Sequence, residues 1–209
     1  MKDDPTILVR EGYDKIGEKY DKYRSAFSAE VELDEFMHFI KPGSHVLDVG
    51  CGTGLVARSL VDGGLEVTGI DISKKMIDLA KHRVPEANFE IGDMTALEFG
   101  DESFDGIVST YAIFHVPRTE HFKLFLDFHR FLKKGGFLLF SIGVRPEGTD
   151  GVWEWDEFQS VPMYWSYHGP EKSIELLKSA DFKIISSRSI QTQIGPETET
   201  HFWILARAK

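Results

Sequence analysis

The chain has 209 residues, 24 basic against 34 acidic for a formal charge of −10, 42% hydrophobic and 12% aromatic, with 19 glycines and one cysteine. That length suits a single domain with a substantial core, and the lone Cys51 excludes an intramolecular disulfide framework or a cysteine-based zinc site. Met1-Lys2-Asp3-Asp4-Pro5 lacks the apolar core of a signal peptide and no apolar run spans a bilayer, so a soluble cytoplasmic protein is expected; the acidic excess, with no basic run beyond Lys133-Lys134, disfavours a nucleic-acid partner.

The first forty residues read as two helices. Tyr13, Ile16, Tyr20 and Tyr23 recur at helical spacing, as do Leu33, Phe36, Met37 and Ile40, and Lys41-Pro42-Gly43 stops the second stripe. From residue 45 short apolar runs alternate with helical stretches. Strands are predicted at His45–Val49, Glu66–Ile70, Asn88–Ile91, Phe104–Ser109 and Gly136–Ile142, with helices near 54–63, 74–83 and 119–133. Uninterrupted runs such as Phe137-Leu138-Leu139-Phe140 suit strands covered on both faces, which predicts a doubly wound, mostly parallel α/β sheet. Residues 143–169 carry Trp153, Trp155 and Trp165 with Phe158, Met163, Tyr164 and Tyr167 but no clear period, and read as an insertion. A helix at 170–180 and strands at 182–190 and 200–208, joined through Gly195-Pro196 and antiparallel at the sheet edge, complete the chain.

In a doubly wound sheet ligands sit beyond the carboxyl ends of the strands. The first strand runs into Asp48-Val49-Gly50-Cys51-Gly52-Thr53-Gly54, a glycine loop that lets backbone approach a ligand closely. Its spacing is G-x-G-x-G, not the dinucleotide G-x-G-x-x-G, and no Lys-Ser/Thr follows as a phosphate loop requires. Asp48 at that strand end would oppose a pyrophosphate and suits a ligand bearing an ammonium or sulfonium. Asp71, 23 positions later, ends the second strand and can accept both hydroxyls of a ribose. Asp93 follows the third strand, where it can accept from an adenine amino group while Ile72 and Met94 flank the ring.

These segments resemble the class I S-adenosylmethionine-dependent methyltransferases, and among them the small-molecule group that includes the quinone-biosynthesis enzymes. The resemblance runs through VLDVGCGTG at 46–54, VTGIDIS at 67–73, IGDMTALEF at 91–99, FDGIVSTYAIFHV at 104–116 and LKKGGFLLFSI at 132–142. It implies a Rossmann-like seven-stranded sheet in the order 3-2-1-4-5-7-6 with strand 7 antiparallel, and one domain over 1–209 with a helical cover at 1–42. It also implies S-adenosyl-L-methionine as cofactor. Asp48, Gly50, Cys51, Gly52 and Gly54 would surround the methionine portion, Asp71 the ribose, and Ile72, Asp93 and Met94 the adenine. Ser109 would offer backbone to the methionine end, Met76 joins the cofactor contacts, and Tyr13 and Tyr20 match a Tyr-Asp repeat that closes over the cofactor in many relatives.

What the chain lacks narrows the chemistry. Ser109-Thr110-Tyr111-Ala112 replaces the Asn/Asp-Pro-Pro-aromatic motif of amide and base nitrogen methylation, Cys51 lies in the cofactor loop and so is not the nucleophile of base-carbon methylation, and no magnesium-dependent catechol-type set is apparent. The expectation is metal-independent, in-line methyl transfer to an oxygen, nitrogen or sulfur of a small molecule. His115, after the fourth strand, is the candidate base, on the ground that an unperturbed imidazole titrates near neutrality; packing or a backbone hydrogen bond is the competing role. His168 and His201 are lesser candidates, with structural roles favoured. Trp153, Trp155, Tyr164 and Trp165 either line a cap over an apolar or cationic acceptor or form a satellite core. The rival functions are an RNA or protein methyltransferase and a non-catalytic S-adenosylmethionine-binding protein.

Overall fold

The computed structural model describes residues 4–24, 29–144, 150–155, 158, 160–194 and 197–209. Two N-terminal helices, α1 (Pro5–Arg24) and α2 (Glu30–Phe39), precede an alternating series: β1 (His45–Val49), α3 (Leu55–Asp62), β2 (Glu66–Asp71), α4 (Lys74–Arg83), β3 (Asn88–Ile91) and β4 (Phe104–Ser109). Then come α5 (His121–Phe131), β5 (Leu132–Gly143), a hairpin of β6 (Asp150–Trp155) and β7 (Val161–Ser166), α6 (Pro170–Ser179), β8 (Phe182–Ile194) and β9 (Glu197–Ala208).

The main sheet runs β3-β2-β1-β4-β5-β9-β8, parallel from β3 to β5, with β9 antiparallel to both its neighbours. Counting only its own strands this is the expected order 3-2-1-4-5-7-6. The two C-terminal strands, β8 and β9, are longer than their predicted bounds, and Gly195-Pro196 lies outside the described residues.

Strand periodicity divides the core between the two faces of the sheet. Val46, Val67, Val108 and Leu139 point toward Leu33, Phe36, Ala57, Leu60 and Ala80 of α2, α3 and α4. Their neighbours Leu47, Ile107, Leu138 and Phe140 point toward Leu124, Phe125, Phe128 and Phe131 of α5 and Leu177 of α6. Asp48, two residues on from Val46, therefore faces α3.

The segment 143–169, which shows no period in the sequence, contains the β6–β7 hairpin. Alternation is hidden because both faces of β7 are in use. Met163 packs into a third cluster with Val9, Tyr13, Ile16 and Tyr20 of α1, while the Ser166 hydroxyl accepts from the Arg118 amide at 2.8 Å. Helix α1 is thus held between the hairpin and the sheet, and it is interrupted at Gly17, whose φ of 32° and ψ of −109° are not helical.

Candidate active site

The ends of β1 to β4, α1 and the turn after β4 enclose a cleft of about 890 Å³, a volume that includes open solvent at its mouth. The glycine loop forms its floor. Gly50 and Cys51 donate to the Ile70 carbonyl at 2.7 and 3.0 Å, which turns the chain sharply out of β1. Gly50 has φ 74° and lies where a Cβ would sit 2.3 Å from the Cβ of Ala112, so only glycine fits. At Gly52, φ 52°, a Cβ would meet no protein atom within 4 Å; that space belongs to the cleft.

Asp71 closes the loop from below. Its Oδ2 accepts from the Gly52 amide and its Oδ1 from the Ser73 amide, both at 2.9 Å. Burial pushes its carboxyl up to about 6 against the pull of those two amides, with Asp14 adding to the rise. Asp93 binds the Thr95 amide and hydroxyl through Oδ1 alone, at 2.9 and 2.8 Å, so Oδ2 takes no bond from the described residues.

Asp48 is fully buried, and neither carboxylate oxygen has a hydrogen-bond partner among the described residues. The Ala57 amide favours its charge without forming a hydrogen bond to it. Burial, then the neighbouring Asp71, raise its carboxyl to about 7, opposed by Arg24. Two buried carboxyls whose charge is costly lie next to one cleft, which is an environment that a cation would relieve.

Helix α1 is fastened over this floor at three points. Asp14 accepts from the Ser73 hydroxyl at 2.7 Å and the Lys75 amide at 3.1 Å. Asp21 accepts from Thr53 Oγ1 and from Arg83 Nη2 at 2.7 Å, and Arg83 also donates to Thr53. Tyr13, pushed into the cleft, bonds His115 Nε2 at 2.8 Å. The Tyr-Asp repeat therefore divides its work: the aspartates anchor the helix and the tyrosines line the cleft.

His115 is buried, with Nδ1 2.8 Å from the Tyr164 carbonyl oxygen. That oxygen can only accept, so Nδ1 carries the proton and Nε2 accepts the Tyr13 O–H. Burial lowers the imidazole to about 4, while burial and then Tyr20 push the Tyr13 hydroxyl well above its ordinary value. This corrects the expectation of a histidine titrating near neutrality: the ring is neutral, it is a weak base, and its lone pair is already engaged.

Of the residues predicted from the sequence, Tyr13, Tyr20, Gly50, Cys51, Gly52, Asp71, Ile72, Asp93, Met94 and His115 line the cleft. Asp48, Gly54, Met76 and Ser109 do not. Asp48 lies beneath the loop. Gly54 allows α3 to approach α4, where a Cβ would sit 3.2 Å from Ala80. Met76 is fully buried with Tyr13 and Ile16, and the Ser109 hydroxyl donates to the Val49 carbonyl at 2.8 Å inside the sheet.

Trp153, Trp155, Tyr164 and Trp165 do not line the described cleft either. Trp155 meets Trp165 edge-on at 5.3 Å and Trp165 lies 4.5 Å from the His115 ring, so the insertion reaches the cleft through His115; Trp153 is 44% exposed. His168 bonds the Arg118 carbonyl at 3.1 Å, and His201 lies against Tyr111 at 4.6 Å.

The cleft also contains residues the sequence reading passed over, chiefly Arg24, Thr110 and Tyr111. Arg24 lies one helical turn beyond Tyr20 on the same stripe, and Thr110 directly follows β4, so both were within reach of the rules that found their neighbours.

A glycine loop and acid-tipped strands on a sheet of this order are what the resemblance of the sequence to class I S-adenosylmethionine-dependent methyltransferases implies. Residues 46–136 match the family described as "Methyltransferase domain". It is 37% identical over 147 residues to a demethylmenaquinone methyltransferase of Symbiobacterium thermophilum, covering 61% of this chain and 56% of that one. An S-adenosylmethionine-dependent methyltransferase from Methanosarcina mazei superposes with a TM-score of 0.75 at 21% identity, over 87% of this chain and 98% of that one. The magnesium protoporphyrin IX methyltransferase of Synechocystis, solved with bound S-adenosylhomocysteine, gives 0.74 at 17% identity over 99% and 100%. The chain spans between 29% and 60% of the lengths of the curated relatives it matches. Among the described residues no helix is long and apolar enough to cross a membrane, and no group of three or more metal-ligating side chains comes together.

Proposed function

We propose that this chain binds S-adenosylmethionine in the cleft and transfers its methyl group, in line and without a metal, to an oxygen, nitrogen or sulfur of a small molecule. The observation that carries the reading is the meeting of Asp71, Asp93 and the open cradle at Gly52 in one cleft. Asp71 would hold the ribose hydroxyls, Asp93 the adenine amino group, and Ile72 and Met94 the faces of the base. The cofactor supplies a methyl on a sulfonium. Its positive charge matches the carboxyls of Asp48 and Asp71, and the relative named for demethylmenaquinone supports a small-molecule acceptor. Titration with S-adenosylmethionine, S-adenosylhomocysteine and NAD tests the reading: the first two should bind and NAD should not, and the reverse preference overturns it.

Within that reading residues 1–209 act as one domain, with 1–42 as a helical cover. The insertion at 143–169 is the proposed cap for the acceptor, and among its described residues Trp165 packs against His115 at the cleft. Tyr13 is the group that meets the acceptor, and His115 positions it. When the nucleophile arrives protonated, Tyr13 Oη accepts its hydrogen bond and holds it in line, while the Tyr13 proton stays in the bond to His115 Nε2 and the proton released on transfer leaves to solvent. Tyr13→Phe should lower kcat/KM by about 100-fold with affinity for S-adenosylhomocysteine changed less than about threefold. Adding His115→Gln should then cost little more, because the pair acts as a unit; fully additive losses would exclude that His115 acts through Tyr13.

A pH dependence follows from the raised carboxyls. Their folded-state values, about 7 for Asp48 and about 6 for Asp71, lie above the ordinary value near 4. The stability the pair contributes to the unliganded protein is therefore complete below pH ~4 and is lost as pH rises through about 6 to 7. Cofactor affinity runs the opposite way, because the cation favours the ionised pair. It should rise from pH ~5 to ~7.5, by at most about tenfold per unit and per proton released, then level off. Calorimetry in buffers of different ionisation heat measures the proton release, and a flat affinity between those limits would contradict the assignment.

A further inference from the structure

The β6–β7 hairpin is tied to the turn after β4 at three places, and Tyr164 takes part in two of them. The Tyr164 carbonyl accepts from His115 Nδ1 at 2.8 Å. Two residues on, the Ser166 hydroxyl accepts from the Arg118 amide at 2.8 Å. The third tie crosses the hairpin: the Tyr164 hydroxyl donates to Asp150 Oδ1, and Asp150 Oδ2 lies 3.6 Å from Arg118 Nε. Since Asp150 pairs with Ser166 across the hairpin, Arg118 grips both strands at the same level. Tyr164 is thereby fixed at its carbonyl and at its hydroxyl.

The bond from His115 has a direction. Because a carbonyl oxygen only accepts, the imidazole proton is on Nδ1, and Nε2 is left to accept the Tyr13 hydroxyl proton at 2.8 Å. Every donor in this chain points from the cleft toward the hairpin. What Tyr13 Oη offers to the cleft that it lines is therefore a lone pair. In the other tautomer Nε2–H would donate to Tyr13, and the tyrosine would turn its proton to the cleft instead. His115 is buried, so an Nδ1–H without its carbonyl partner would be disfavoured by about tenfold or more. The hairpin decides which of the two arrangements the cleft presents.

We propose that the hairpin is a positioning element: through the Tyr164 carbonyl and His115 it keeps the Tyr13 lone pair turned to the methyl acceptor, and so selects a nucleophilic atom that bears hydrogen, in a hydroxyl or an amine N–H, over a tertiary amine or a thioether. This deepens the methyl-transfer reading above and rests on it. In the transfer the bond between methyl carbon and sulfur breaks, and its electron pair stays on sulfur. The new bond to oxygen or nitrogen uses the nucleophile's own lone pair, and the hydrogen that Tyr13 held in place leaves as a proton to solvent. Asp150 and Arg118 are the accessible part of the device, with side chains 33% and 32% exposed, so they can be altered without opening the core.

NMR of the full chain carrying nitrogen-labelled histidine reads the tautomer directly. His115 is assigned by the signals lost in His115→Gln, and His45, at the opposite end of β1 from the cleft, reports an intact fold. Wild-type His115 should stay neutral and Nδ1-protonated down to pH ~5, a unit above the value of about 4 to which burial lowers it. Asp150→Ala removes both the Tyr164 hydroxyl's partner and the ion pair with Arg118. In it the Nε2-protonated form should rise to about a third or more, and the ring should titrate closer to ~6.5 as water enters. Asp150→Asn still accepts from Tyr164 and should remain closer to wild type. An unchanged His115 tautomer in Asp150→Ala, with His45 undisturbed, overturns the positioning role.

Fluorine NMR with para-fluorophenol and para-fluorotoluene, in the presence of S-adenosylhomocysteine, tests the selection. The two differ by a hydroxyl against a methyl group, and only the phenol can donate to Tyr13. Wild-type protein should favour the phenol by about tenfold, and Asp150→Ala and Tyr13→Phe should each cut that preference to less than about threefold. The ratio is taken within each variant, so a change in folded fraction cancels. Wild-type protein that takes both probes equally, or neither, overturns the selection. Failure of S-adenosylhomocysteine to bind overturns the methyl-transfer reading and the selection with it, whereas normal binding with an unaltered tautomer and ratio in Asp150→Ala removes the hairpin's role alone.

Discussion

Asp71→Ala should lower affinity for S-adenosylhomocysteine by on the order of 100-fold, the largest loss expected from a single polar side chain here. Two effects combine. The carboxylate is the proposed acceptor for the ribose hydroxyls, and charge-assisted bonds of that kind are worth about 1.5–3 kcal/mol. It also accepts the Gly52 and Ser73 amides, so alanine would leave two buried donors without their partner and loosen both the glycine loop and the start of α4. A stability loss of about 2–4 kcal/mol should accompany the binding loss, from about 1–3 kcal/mol for each stranded amide, partly relieved by local rearrangement. Asp71→Asn separates the two effects: its single carbonyl oxygen can retain one amide but not both, and it carries no charge. Chemical denaturation and calorimetry on the two variants test this, and wild-type affinity in the alanine variant would refute the ribose assignment.

Gly50→Ala should be the most destructive substitution in the loop. The added methyl would lie 2.3 Å from the Ala112 Cβ, far inside the ordinary contact distance of about 3.5–4.0 Å. The position also has φ 74°, a left-handed conformation that costs an L-residue about 1–2 kcal/mol. With about 1–3 kcal/mol for the steric conflict, the variant should be destabilised by about 2–5 kcal/mol, a large share of the stability of an ordinary domain. The two parts can be separated experimentally. Pairing it with Ala112→Gly removes the clash but not the backbone strain, so the double variant should regain about 1–3 kcal/mol and no more. A single variant with an unchanged melting temperature would show that the loop does not hold this geometry in solution.

Much of the fold was legible because its determinants are local. Phe137-Leu138-Leu139-Phe140 announces a strand buried on both faces wherever it sits, and Leu124, Phe125, Phe128 and Phe131 mark a helix that must lie on a sheet. The spacing of Asp48, Asp71 and Asp93 reflects one helix and one strand between successive strand ends. The hairpin at 150–166 was illegible for the converse reason. Its strands touch α1 on one side and the turn after β4 on the other, and a strand with partners on both sides loses the alternation that betrays it.

The site divides in the same way. Asp71, Ile72, Asp93 and Met94 reach the cleft because each ends a parallel strand or follows one within three residues, a consequence of topology. Met76 matched a pattern but points into the α1 cluster, since the side of α4 it occupies is set by where α1 docks. The role of His115 changed for an electrostatic reason: an imidazole has no fixed basicity, and enclosure by Trp165, Phe114 and Tyr13 lowers it to about 4.

The sequence by itself determined the strands, the glycine loop and the acids that follow the strands, because hydrophobic period, backbone freedom at glycine and strand-end placement are properties of neighbouring residues, while the strand order followed from the resemblance to a known family. Only the tertiary structure decided which side chains share the cleft and in what state. Arg24 stands on Tyr111 because α1 folds back across the sheet, the Tyr13 hydroxyl is committed to His115, and two carboxyls are held near neutrality by burial. These depend on contacts between residues as much as 102 positions apart in the chain, and on how much water those contacts exclude.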